Sequence, residues 1–100
     1  FDDKIVKEME AITHERGINS FVMHMSYRDL LQLKEDDIIS CIKKCKELGC
    51  ISMIHAENGD LIEECVQKVK ACGITGAEGH LFSRPEQLEM EATQRAISIA

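Results

Sequence analysis

The sequence lacks a hydrophobic run of membrane-spanning length, and it lacks an excess of positive charge. A helix that crosses a bilayer needs roughly 20 apolar residues, and no run in this chain approaches that length. The formal net charge is −6, which argues against sequence-independent binding of nucleic acids. The acidic start, Phe1-Asp2-Asp3, does not have the pattern of a signal peptide. We therefore predict no membrane span, no nucleic-acid partner and a cytoplasmic location.

The sequence also lacks a disulfide framework, a zinc-finger pattern and a phosphate-binding loop. Its five cysteines are an odd number and fall within helix and strand patterns, so we predict that all are reduced. Cys41 and Cys45 share a helix face, but no paired Cys/His set has finger spacing. The glycines of 74–79 do not form a GxGxxG pattern and no Lys-Ser/Thr ending follows them.

What is present is the composition of an ordinary globular protein. The chain has 100 residues, of which 44% are hydrophobic and 30% are charged. We treat 1–100 as a single segment, because this length suits one small domain or a piece of a larger one. The methionines are expected to fill the core; they are Met9, Met23, Met25, Met53 and Met90.

Hydrophobic periodicity predicts strands alternating with helices. The strands are expected at 18–25 and 50–55, with a Gly-rich loop at 74–82. The helices are expected at 3–16, 35–48, 60–72 and 84–100. This order predicts an α/β fold in which two adjacent parallel strands are joined by the helix at 35–48. Two parallel strands rarely form a sheet buried on both faces, so the chain is expected to belong to a larger domain.

Two helix starts carry capping-box patterns. Asp60 is followed by Glu63, and Ser83 is followed by Glu86, so each pair has the spacing at which side chains satisfy the first helical N–H groups. We therefore expect Asp60 to cap the third helix and Ser83 to cap the last one.

The run from Cys50 to Ile54 is apolar, and polar residues follow it at once, beginning with His55. Parallel α/β folds place their chemistry at the carboxyl ends of strands. His55 could ligate a divalent metal, or it could be a hydrogen-bonded histidine at a strand end. His24 lies two positions from Val22 and therefore on the same face of the other strand. We expect His24 to be an ordinary, partly buried histidine that does not reach a site formed around His55.

Several stretches together resemble the dihydropyrimidinases and their non-enzymatic relatives, the collapsin response mediator proteins. The resemblance covers nearly all 100 residues without a gap. It is carried by Gly17-Ile-Asn-Ser-Phe21, Tyr27-Arg-Asp-Leu30, Cys45-Lys-Glu-Leu-Gly49, His55-Ala-Glu-Asn-Gly-Asp60, Gly73-Ile-Thr-Gly-Ala-Glu-Gly-His80, Ser83-Arg-Pro-Glu86 and Glu91-Ala-Thr-Gln-Arg-Ala96.

The resemblance implies an amidohydrolase-type TIM barrel with a small β-sandwich. Such a barrel alone needs roughly 250 residues, so this chain would supply about two of its β/α units, with parallel strands. The enzymes of the family hydrolyse the cyclic amide of dihydropyrimidines and hydantoins. Their two metal ions activate a bridging hydroxide and polarise the carbonyl, a carboxylated lysine bridges the metals, and a tyrosine stabilises the oxyanion.

By position, the resemblance assigns His55 to a metal ligand and Tyr27 to the oxyanion-stabilising tyrosine. The bridging lysine should follow Phe21, and Val22 stands there, with no amine to carboxylate and no atom to ligate a metal. His24 replaces an aromatic residue that is usual in the family. The family's other ligands, an early His-x-His pair, a later histidine and a later aspartate, fall outside these 100 residues.

Loss of the lysine favours a non-catalytic, mediator-type protein that binds no cofactor. The resemblance then implies a cytosolic homotetramer with tubulin or other cytoskeletal partners and a scaffolding role in neuronal signalling. The alternative is a dihydropyrimidinase that carries two zinc ions. A third hypothesis, a small stand-alone binding module, would require a full-length product of only 100 residues.

Overall fold

The computed structural model describes residues 1–100 as five helices and two strands. In chain order these are α1 (Asp3–Arg16), β1 (Ser20–His24), α2 (Glu35–Leu48), β2 (Ile51–His55), α3 (Gly59–Ala71), α4 (Glu78–Ser83) and α5 (Glu86–Ile99). The predicted α/β class is confirmed. None of the helices has both the length and the apolar character needed to cross a membrane.

The two strands are parallel neighbours, and α2 is the helix that connects them along the chain, as predicted. In the register of the sheet, Val22 pairs with Met53 and His24 pairs with His55. The Met25 N–H donates to the His55 carbonyl at 3.0 Å and extends this pairing past the strand ends. The two histidines therefore lie side by side at the carboxyl end of the sheet.

Local side-chain and backbone chemistry explains where α1 begins and where α1 and α2 end. The Asp2 side chain accepts a hydrogen bond from the Ile5 N–H at 2.9 Å and so caps α1. Gly17 and Gly49 follow α1 and α2 with φ of 68°, the left-handed conformation that glycine adopts without steric cost. The helices end at these glycines, and the chain continues from them into β1 and β2.

The core lies on one side of the two-stranded sheet. Its buried members are Met9, Met23, Met25, Ile38, Cys41, Cys45, Ala92 and Ala96. The other face of the sheet is open, with Val22 57% and Met53 44% exposed. Met90 is also exposed, so the prediction that every methionine fills the core is wrong for Met53 and Met90. Alternation along β2 turns Met53 to the face of the sheet opposite the core.

The molecule is elongated, with principal extents of 50 × 23 × 20 Å and a radius of gyration of 16.1 Å. A compact domain of this length has a radius of gyration of about 13 Å. Only 12 of the 100 residues are buried, which reflects this shape. All five cysteines are free in the structure.

Three local predictions are wrong. The segment 74–82 is not entirely a loop, because its second half forms the short helix α4. Asn58, not Asp60, caps α3 by accepting from the Leu61 N–H at 3.1 Å, since the helix begins one residue earlier than expected. Ser83 ends α4 and donates to the His80 carbonyl at 3.0 Å, so it does not cap α5.

Candidate functional site

A broad cavity of about 630 Å³ opens at the carboxyl ends of β1 and β2. The strands supply its floor, and the loop after β2 together with α4 and α5 supplies its walls. The side chains that line it and matter for its chemistry are Val22, Tyr27, Met53, His55, Glu57, His80 and Arg84. Tyr27, His55 and Val22, singled out from the sequence, thus all meet in one cavity.

Three aromatic rings are clustered at this edge of the sheet. The centroid of the His55 ring lies 5.3 Å from that of His24 and 5.2 Å from that of Tyr27, and 5.4 Å separates His24 from Tyr27. His24 is partly buried, as expected, and does not line the cavity, but its ring lies beside those of His55 and Tyr27. Cross-strand pairing with His55 brings His24 to the same depth.

The backbone, more than the side chain, holds Tyr27 in place. Its φ is 62°, a left-handed conformation that costs a non-glycine residue about 1 kcal/mol or more. Its carbonyl accepts hydrogen bonds from three successive N–H groups, those of Leu30, Leu31 and Gln32, at 2.9 to 3.2 Å. After this tight turn the chain returns to the end of β1, where Gln32 forms a parallel bridge with His24.

His55 has a polar neighbour at each ring nitrogen. Its Nε2 lies 3.3 Å from the Tyr27 hydroxyl, and its Nδ1 lies 3.3 Å from the hydroxyl of the buried Ser26. A Glu57 carboxylate oxygen lies 3.7 Å from the same Nδ1. These contacts fix the orientation of the imidazole ring and hold its Nε2 beside the phenol.

His24 is in a different environment. Its Nδ1 is buried and has no hydrogen-bond partner among the atoms of the chain. Buried polar atoms in folded proteins are nearly always paired, because an unpaired one costs about 1–3 kcal/mol. The unpaired nitrogen is the feature of the site that sequence reasoning missed. No sequence signal pointed to it, because the surroundings of His24 depend on the register between β1 and β2.

Val22 lies on the cavity floor beside its cross-strand partner Met53. Both side chains are apolar, and neither contributes a carboxylate, an imidazole or a thiolate, the groups that bind zinc in proteins. No three histidine, cysteine or carboxylate side chains of the chain converge on one point. Val22 and Met53 therefore supply no metal ligand at this part of the cavity floor.

The wall of the cavity contains one contact between oppositely charged side chains, those of Arg84 and Glu57. Arg84 Nε lies 3.9 Å from a Glu57 carboxylate oxygen, and Arg84 Nη1 lies 3.3 Å from His80 Nδ1. The Glu57 side chain is 20% exposed, so the guanidinium offsets its charge in a partly desolvated position. Sequence reasoning gave Arg84 and His80 no role in the site, although both belong to conspicuous motifs.

Gly59 brings α3 against this edge of the sheet. Its N–H donates to the Met25 carbonyl at 3.2 Å, and a Cβ added there would lie 3.0 Å from the Ser26 Cα. Only glycine permits this approach. Ser26, which contacts His55, is therefore held between β1 and the first turn of α3.

The comparison with solved structures identifies the fold. The chain matches D-hydantoinase from Bacillus sp. AR9 with a TM-score of 0.95 and 34% identity, over 99% of this chain and 22% of that one. It matches dihydropyrimidinase from Brevibacillus agri with a TM-score of 0.94 and 32% identity, over 99% and 22%. The chain therefore has the α/β fold of a segment of a hydantoinase-type TIM barrel, as predicted.

The comparison with curated proteins adds the family. Dihydropyrimidinase of Rattus norvegicus is 48% identical over 100 residues, which are 100% of this chain and 19% of that protein. Dihydropyrimidinase-related protein 5 of Homo sapiens is 46% identical over 97 residues, 97% of this chain and 17% of that protein. No protein-family model matches. The likeness to dihydropyrimidinases and dihydropyrimidinase-related proteins is thus confirmed along the whole chain, which spans about a fifth of these relatives' length.

Proposed function

We propose that this chain belongs to a dihydropyrimidinase-related protein that does not hydrolyse cyclic amides. The observation that carries the proposal is Val22 on the cavity floor, at the position where the family resemblance places the bridging lysine. Val22 is 57% exposed, it lines the cavity, and its side chain has no ligating atom. The relatives include both dihydropyrimidinases and dihydropyrimidinase-related proteins. Overall similarity therefore does not distinguish the two functions, and the proposal depends on the residues of the site.

The physical reason is charge repulsion. Metals in two-metal sites lie about 3.5–4 Å apart. Two dipositive ions at about 4 Å repel each other by roughly 16 kcal/mol at an effective dielectric constant of about 20. A bridging carboxylate offsets much of this repulsion by placing negative charge between the ions. Val22 supplies no charge there, and Met53 beside it supplies none either.

The alternative is a zinc-dependent dihydropyrimidinase, and one observation favours it. The Tyr27 hydroxyl lies 3.3 Å from His55 Nε2, so the two residues that the resemblance assigns to the reaction are adjacent. In that case His55 would hold a metal that activates water, and Tyr27 would donate a hydrogen bond to the developing oxyanion. The bridge between two ions would then have to come from outside this chain.

The test is a dihydrouracil hydrolysis assay with metal analysis on the full-length protein. We expect no hydrolysis and no pair of tightly bound zinc ions in the wild type. Val22→Lys should raise the zinc content if the remaining ligands are intact, whereas the matched control Val22→Met, of similar length but without an amine, should not. Wild-type turnover with two zinc ions per protomer would contradict the proposal and establish the alternative.

We further propose that the segment is one part of a larger, cytoplasmic barrel protein that forms a homotetramer. Large apolar side chains remain at the surface, among them Leu30 at 79% and Leu81 at 71% exposure. Such exposure is typical of surfaces that other chain segments or subunits cover. The isolated 100 residues should therefore aggregate, and a monomer with a sharp cooperative thermal transition would count against this.

A tubulin partner follows from the resemblance alone and is tested by co-sedimentation with microtubules.

A further inference from the structure

A separate cavity of about 350 Å³, the α3–α4 cavity, lies between helices α3 and α4. Its lining comes from the second half of α3, from the segment 74–76 and from α4 with the residue that follows it. His80 and Arg84 line both this cavity and the one at the strand ends, and so they separate the two. Small-molecule sites in proteins measure about 300–1,000 Å³, so the volume of the α3–α4 cavity suits a small metabolite.

The fully charged side chains that line the α3–α4 cavity are both basic. They are Lys70 and Arg84, and no aspartate or glutamate lines the cavity. This is the reverse of the balance in the whole chain, which has 18 acidic and 12 basic residues. A concave surface of one charge sign raises the local concentration of ligands of the opposite sign. The cavity is therefore suited to an anion.

Both cations have hydrogen-bond donors that the chain itself does not use. None of the ion pairs of the chain involves Lys70, so its ammonium has no carboxylate partner. Arg84 Nη1 donates to His80 Nδ1 at 3.3 Å, and Arg84 Nε lies 3.9 Å from a Glu57 oxygen, beyond hydrogen-bonding distance. A guanidinium has five N–H donors, so most of those of Arg84 are available to a ligand.

Part of the lining is apolar. It consists of Val66 and Val69 on α3 and of Ile74 after it, all of which are partly buried. An inorganic anion would leave this surface in contact with water, whereas an organic group would cover it. Because removal of apolar surface from water is favourable, the cavity favours an anion that carries an apolar organic group.

We propose that the α3–α4 cavity binds a small organic phosphate monoester. Lys70 and Arg84 bind the phosphate, and the organic group covers the valines of α3. A phosphate monoester carries about −1.5 to −2 charges at pH 7 and so balances two cations, whereas a carboxylate balances only one. The planar fork of guanidinium N–H groups also matches the oxygens of a phosphate. This site goes beyond the proposed function, and the family resemblance assigns no role to Lys70 or Arg84.

The first test measures binding of 4-fluorophenyl phosphate to the full-length protein by fluorine NMR. Lys70→Gln should weaken binding by about fivefold or more. Lys68→Gln is the matched control, because Lys68 lies in the same last turn of α3 and shares its favourable position at the helix end, but does not line the cavity. Thermal unfolding reports whether both variants fold. Equal affinity in folded Lys70→Gln and wild type, or an equal loss in both variants, would refute the proposal.

The second test compares probes that share one ring or one anion. We expect 4-fluorobenzoate and inorganic phosphate each to bind about fivefold or more weakly than 4-fluorophenyl phosphate, and the neutral 4-fluorophenol not to bind. Raising the ionic strength from about 0.01 M to about 1 M shortens the screening length from about 30 Å to about 3 Å and should weaken binding of the phosphate ester. Tighter binding of the carboxylate, equal binding of inorganic phosphate or no binding of any probe would overturn the proposal. Lys70 takes no part in the dihydrouracil assay, so the two proposals fail independently.

Discussion

Substitution of Gly59 by alanine tests how closely α3 must approach the sheet. The added Cβ would lie 2.9 Å from the Gln32 Oε1 and 3.0 Å from the Ser26 Cα. The glutamine can move aside because its contacting atom ends a flexible side chain. The Ser26 Cα is backbone, held by the adjacent Met25, whose carbonyl accepts from the Gly59 N–H at 3.2 Å. The clash therefore has to be relieved by moving the helix.

The expected cost can be estimated from two opposing effects. Forcing an extra methyl into a packed contact costs about 1–3 kcal/mol. Alanine is favoured over glycine in a helix by up to about 1 kcal/mol, and this gain is smaller at the first helical position. The free energy of unfolding should thus fall by about 1–2 kcal/mol. Because Ser26 contacts His55, the same change should also disturb the site.

Denaturant unfolding of the full-length protein, followed by circular dichroism, measures this difference. Gly76→Ala is the matched control, because the nearest atoms to its new Cβ belong to the flexible Glu78 side chain, which can swing away. We expect Gly76→Ala to stay within about 0.5 kcal/mol of the wild type. If Gly59→Ala were as stable as Gly76→Ala, the close approach of α3 to β1 would be wrong.

Two further predictions concern the titrating groups. Burial, with a smaller contribution from Cys45, raises the pKa of Cys41 to about 11. An alkylating reagent at neutral pH should therefore label the exposed Cys72 and leave Cys41 unmodified. Early labelling of Cys41 in peptide maps would contradict its burial. The Lys44 ammonium donates a hydrogen bond to Glu10 and lowers the pKa of that carboxyl below its usual 4.5. The contribution of this pair to stability is therefore present above the unfolded-state pKa and is lost as the pH falls through the folded-state pKa. The difference in Tm between wild type and Glu10→Gln should accordingly vanish in acid, and a difference that persists at low pH would argue against the pair.

The strands and the helix between them were predictable because their signals are local. Apolar runs of strand length, the periodicity of 35–48 and the stop at Gly49 each act within a few residues. The start of α3 was not predictable, because Asn58 and Asp60 are both residue types that cap helices well. Which one is used depends on where β2 ends, and tertiary contacts decide that.

The site was predictable in composition but not in geometry. Placing His55 at a strand end needs only the change from apolar to polar residues after Ile54. Placing His24 beside it needs the register of two strands that lie about thirty positions apart in the sequence, and no local pattern encodes that register. The α4 helix was missed because glycines precede it and it has only 6 residues.

The elongated shape has a consequence for the ratio of surface to mass. The accessible surface is 6947 Å², whereas a compact protein of 11.3 kDa exposes about 5,700 Å². The excess of about 1,200 Å² exceeds the roughly 800 Å² that each partner contributes to a standard protein–protein interface. In hydration terms, the chain carries the water shell of a compact protein of about 15 kDa. Release of that extra water would favour association of this chain with any segment or subunit that covers its exposed apolar surface.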